Sequence, residues 1–180
     1  MSPLRWAASI VGFPIGGLAA ITFFSTTDGP IAAAMAGFIA GAVLGTAQWL
    51  ALRPSVSGWW IPATAGGLAS GAAIAVAITG GGTSLGELAL FGTISGLVVG
   101  AAQGAVLSAR RMVAWIATIS ASWTLAWVIS TLVIVDEQRG FALFGLSGAA
   151  FATLATGLAL RRMLGARSPR VHSAMGMETA

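Results

Sequence analysis

The chain contains no cysteine and no lysine, carries one histidine, and only 8% of its 180 residues are charged. Without cysteine there are no disulfides, no thiolate metal sites and no thiol chemistry. Without lysine there is no internal Schiff base, which removes retinal and pyridoxal phosphate mechanisms. A soluble domain carries roughly 25% charged residues. The shortage here, with 57% hydrophobic residues and a mean hydropathy of +0.90, predicts a polytopic membrane protein. The net charge of +4 comes from nine arginines spread along the chain in ones and twos beside apolar segments, a pattern that argues against nucleic-acid binding.

What the sequence does contain is glycine, 25 residues of it, in a regular arrangement. Gly37, Gly41 and Gly45 recur every four residues, so on a helix they form a bare stripe against which a neighbouring helix lies almost backbone to backbone. Gln48 follows that stripe. Fifty-five residues on, the pattern returns as Gly92, Gly96, Gly100 and Gln103, and Trp60-Ile61 matches Trp115-Ile116 at the same offset. This spacing predicts an internal repeat. A third, degraded copy has Gly148 and Ala152 on the stripe and Ala155 where the glutamine would stand.

Six apolar runs follow from the punctuation. The first runs from Trp6 to Phe24, long enough to cross a bilayer core, and is read as a retained span rather than a cleaved signal. Ser25 to Gly29 is a polar turn, Pro30 suits a first helical position, and the second span reaches Leu52. The third opens at Trp59-Trp60 and ends near Ile78. Ser84-x-x-Glu87 is a capping box that starts the fourth span at Leu85, and this span ends at Ser108. The fifth covers Met112 to Val135. Asp136 to Arg139 is a polar loop, the sixth span covers 141–160, and the tail 164–180 reads as disordered and cytoplasmic.

The predicted fold is therefore an all-α six-helix bundle over 1–163, made of three parallel-related hairpins, 6–52, 59–108 and 112–160, packed through glycine. Eight arginines fall on one side of this layout and Arg139 alone on the other, so the positive-inside rule puts both termini in the cytoplasm of a bacterial-type inner membrane. Asp28, Glu87, Asp136 and Glu137 fall on the opposite side.

The expected function is correspondingly spare. No ionisable group sits in the middle of a span, which argues against proton relays, ion coupling and acid–base catalysis. His172, in the tail, is no candidate for metal or haem, and no cofactor is expected. The candidate ligand-binding residues are Gln48 and Gln103, through their amides, and Trp123 and Trp127, one turn apart inside the fifth span. The competing expectation for all four is helix packing. Trp6, Trp49, Trp59, Trp60 and Trp115 sit at helix ends as an interfacial belt would. The sequence thus predicts a non-catalytic structural or accessory subunit whose partners are the bilayer and other membrane subunits or further copies of itself. The alternative is a facilitator or binding component for a small neutral or apolar solute.

Overall fold

The computed structural model describes residues 2–24, 29–133 and 146–165. All regular structure within them is helical: α1 (Pro3–Ala8), a 3-10 turn (Ser9–Val11), α2 (Gly12–Phe23), α3 (Pro30–Leu52), α4 (Trp60–Thr79), α5 (Leu85–Leu107), α6 (Ala109–Val133) and α7 (Leu146–Gly165). Five stretches are long and apolar enough to cross a membrane: Pro3–Phe23, Pro30–Leu52, Trp60–Thr79, Leu85–Leu107 and Ala109–Leu132. The protein is a multi-pass membrane protein. The expected turn at 25–28, the loop 136–139, the first residues of the 141–160 span and the tail from 166 onward lie outside the described residues. Residues 164 and 165, expected in the tail, belong to α7.

Local chemistry accounts for the boundaries. Pro14 has no N–H to offer residue 10 and its ring crowds that carbonyl, so the first span tightens into the 3-10 turn just before it. Pro30 opens α3, where its missing donor would have been unsatisfied in any case. α4 stops at Gly80, whose φ of 66° is the left-handed cap that a residue with a Cβ rarely adopts. At α5 the Ser84 hydroxyl accepts from the Glu87 N–H while the Glu87 carboxylate accepts from the Ser84 N–H, and so the capping box forms as the sequence reading placed it.

Each helix packs against its neighbours in sequence, and α1 with the 3-10 turn also touches α7, which brings the first and last described helices together. Several crossings bring backbones into contact. A methyl group built at Gly41 would lie 2.7 Å from the Thr64 carbonyl oxygen and 2.8 Å from Ala65 Cα. One at Gly37 would lie 2.7 Å from the Leu68 carbonyl, and one at Gly45 2.9 Å from Thr64 Cβ. On α5, a methyl built at Gly92 would lie 2.8 Å from the Trp123 carbonyl oxygen, one at Gly96 2.7 Å from Ser120 Cα and one at Gly100 2.8 Å from Ile116 Cα. Gly148 of α7 abuts the Ala126 carbonyl and the Ser130 hydroxyl. In a membrane, where water offers no drive for apolar burial, such contact maximises dispersion between helices.

Candidate functional site

α3 and α5 are not packed on one another, yet their glutamines meet inside the bundle. Gln48 lies one turn from the end of α3 and Gln103 one turn from the end of α5, and both are buried, at 6% and 1% exposure. Gln103 Nε2 donates to Gln48 Oε1 at 3.2 Å and to Thr64 Oγ1 at 2.8 Å. Two indoles complete the set. Trp60 Nε1 donates to Gln48 Oε1 at 3.1 Å, and Trp115 Nε1 donates to Gln103 Oε1 at 3.1 Å. The two rings lie 5.9 Å apart, centroid to centroid, and the Thr64 hydroxyl itself donates to the Trp60 carbonyl at 2.8 Å. These donors fix the orientation of both amides, since each Oε1 must face an N–H.

The belt reading of the helix-end tryptophans therefore fails for three of the five. Trp60 and Trp115 are fully buried, and Trp6 is 3% exposed with its Nε1 donating to the Thr153 carbonyl of α7 at 2.7 Å. A residue at the end of a helix reaches the membrane surface only if no other helix covers it, and here the closed arrangement of helices covers all three. Trp59 is exposed, while half-buried Trp49 carries the Arg53 guanidinium 5.3 Å from its ring centroid, a cation–π contact.

Further along the same interior the lining changes from polar to apolar. A cavity of about 70 Å3 is bordered by Gly12, Phe13, Gly17 and Ala20 of α2, Ala36, Gly37, Ala40 and Leu44 of α3, Leu68 and Ala72 of α4, Phe91 of α5, and Trp123 and Trp127 of α6. Most of these positions carry glycine or alanine, whose side chains are too short to reach the centre, so space remains. The aromatic rings close in edge to face: Phe13 with Trp123 at 6.4 Å and Phe91 with Trp127 at 5.7 Å.

The four candidate ligand residues thus fall in two places. Gln48 and Gln103 are bonded to one another, whereas Trp123 and Trp127 border the cavity, and the glutamines are not among its lining. Trp60, Trp115, Thr64, Phe13 and Phe91 were not singled out from the sequence as partners of these residues. A signal for two of them existed: each glutamine is followed by a tryptophan twelve residues later, Gln48 by Trp60 and Gln103 by Trp115. Amides, hydroxyls and indoles exchange neutral hydrogen bonds and do not ionise near pH 7, so the polar set can tie helices together or orient a neutral group but cannot serve as an acid–base pair. Comparison with protein-family models, with curated protein sequences and with solved structures finds no match.

Proposed function

We propose that this chain is a non-catalytic structural or accessory subunit of a bacterial-type inner membrane, a six-span bundle that associates with partner helices through its outer surface. The observation that carries the reading is the Gln103–Gln48 hydrogen bond with its indole donors, because it leaves the conspicuous polar groups of the interior engaged with each other. Large apolar side chains point outward instead, among them Ile31, Val113 and Leu132 at 72% exposure or more, and these are available to lipid or to another helix.

The architecture in this reading is three hairpins related by a threefold pseudo-axis along the membrane normal and joined through glycine stripes. Equivalent contacts at the 55-residue offset support it. Gly45 meets Ile61 as Gly100 meets Ile116, Gly41 meets Ala65 as Gly96 meets Ser120, and Gly12 meets Leu44 as Gly67 meets Val99. The third hairpin, lacking a glutamine at Ala155, contributes a backbone acceptor for Trp6 in its place. Both termini are assigned to the cytoplasm on the arginine distribution, so reporters fused at Arg53 and Ser108 should be cytoplasmic and one at Gly81 external. A single reporter on the other side would discard the six-span layout.

A binding component for a small apolar solute is the second reading, favoured by the aromatic-lined cavity. Native mass spectrometry of the gently extracted protein, alone and as Ala36→Leu, which places a larger side chain in the cavity, separates the two. A co-purifying protein retained by both forms supports the accessory role. A small molecule on the parent with no partner protein would replace it with the second reading.

A further inference from the structure

We propose that the cavity beside Trp123 and Trp127 takes up one acyl chain of a bilayer lipid, entering between α2 and α7. This goes beyond the accessory role and does not depend on it.

The seal of the bundle is uneven along its length. Toward the glutamines, α1 and the 3-10 turn pack on α7, and Trp6 is hydrogen-bonded to the Thr153 carbonyl. Past the turn that closure is not continued. α2 packs against α3 and α7 packs against α6, but among the described residues α2 and α7 make no comparable contact with each other. The cavity follows the same asymmetry. Its walls come from α2, α3, α4, α5 and α6, and among the described residues none of α7 borders it, so the side without a lining residue is the one between α2 and α6 that α7 faces.

The occupant follows from the chemistry of the walls and of the medium. Every lining residue is glycine, alanine, leucine, phenylalanine or tryptophan, so water entering would find few partners, and apolar cavities of this kind stay dry. At this depth the fluid outside is hydrocarbon. The space of about 70 Å3 is less than half of the roughly 150 Å3 that admits benzene in an engineered apolar cavity. A ring therefore does not fit without displacing the walls, whereas the end of a flexible, unbranched chain does. Filling it restores the dispersion contacts that an empty lining forfeits.

The tryptophans make the test direct, since a brominated chain quenches an indole that it touches. The protein is reconstituted into bilayers of phosphatidylcholine with or without bromines near mid-chain. The emission of Trp123 and Trp127 is isolated as the difference between the parent and Trp123→Phe/Trp127→Phe. We expect brominated lipid to quench that difference strongly although both indoles are only 4% exposed. Ala36→Leu, and independently Ala20→Leu, place a larger side chain in the cavity without changing the distance to lipid outside the bundle, and either should restore most of the emission. Circular dichroism and the thermal midpoint identify which variants remain folded. Absence of quenching in the parent overturns the proposal, and so does quenching that persists in the folded, filled variants. Quenching by a free brominated alkane but not by brominated lipid also overturns it, assigning the space to a dissolved solute.

Discussion

The two halves of the bundle interior solve one problem differently. Around Gln48 and Gln103 the centre is filled by long polar and aromatic side chains that bond to each other, while around Trp123 and Trp127 the helices present glycine and alanine to the centre and leave a space. Both halves rest on similarly close helix crossings, at Gly45 and Gly100 in one and at Gly37 and Gly92 in the other. The difference therefore does not arise from how tightly neighbouring helices pack. It arises from what points inward from the crossings, and it separates a self-satisfied polar plug at Gln48 from an apolar pocket whose lining begins about one turn away on α3, at Leu44.

The comparison breaks altogether if the shared crossings are not what holds both halves. Gly41→Leu and Gly96→Leu each drive a side chain into a facing backbone, at Thr64–Ala65 and at Ile119–Ser120, and should cost about 3 kcal/mol or more, at the upper end for overpacking. Gly66→Leu, at a helical glycine where a built methyl would meet nothing within 4 Å beyond its own stretch of helix, should leave the midpoint nearly unchanged. Thermal melts in detergent decide it. If all three variants melt together, close backbone contact is irrelevant to stability here.

The glycine stripes were legible in the sequence because a four-residue period is a property of one helix. So were some helix starts: Pro30 and the Ser84–Glu87 box are local signals, and the helices begin at Pro30 and Leu85, whereas the helices expected from Trp6 and Met112 begin three residues earlier, at Pro3 and Ala109. Burial at the bundle centre was not legible in the same way. Trp59 and Trp60 are neighbours with nearly the same surroundings in sequence, yet one is 74% exposed and the other 0%. Only the closure of the helices against each other decides which indole faces in. The pairing of Gln103 with Gln48 was equally out of reach, since it joins helices that are not packed on one another, and the offset between them identifies equivalent positions without saying that they touch. The cavity is the hardest case, because it is made by side chains that are absent.

A finer contrast lies inside the plug. Gln103 makes three hydrogen bonds and Gln48 two, so Gln103→Leu strips Trp115 and Thr64 of partners as well as Gln48. Leaving buried donors unpaired costs about 1–3 kcal/mol, and Gln103→Leu should be the more damaging single change. The double variant should then cost less than the sum of the singles, with a coupling of about 0.5 kcal/mol or more. Equal single effects that add would mean that the two amides are satisfied separately.

The smallest expected effect sharpens the comparison with a single chemical change made in both regions. Thr64 and Thr93 each donate a hydroxyl proton to a carbonyl in the preceding turn, Thr64 to Trp60 and Thr93 to Ala89, and each touches a polar group on another helix. For Thr64 that group is the Gln103 amide at 2.8 Å, and for Thr93 it is the Thr124 hydroxyl at 2.7 Å. Thr64 is fully buried and Thr93 half-buried. Valine matches threonine in shape, so Thr93→Val should cost about 0.6 kcal/mol, the average for an interhelical hydrogen bond in a membrane, because the Thr124 hydroxyl, deprived of Thr93, can turn its proton to the Ser120 carbonyl, 2.8 Å away. Thr64→Val removes one of two acceptors from an amide held at 1% exposure, and its cost should exceed that of Thr93→Val by about twofold, toward the lower end of the range for an unsatisfied buried donor. Chemical or steric unfolding in mild detergent resolves such a difference if both variants are measured against the same parent. Equal costs would mean that the polar plug is no more demanding than an ordinary hydroxyl contact between two helices, and the two halves of the interior would then differ in composition without differing in what they contribute to stability.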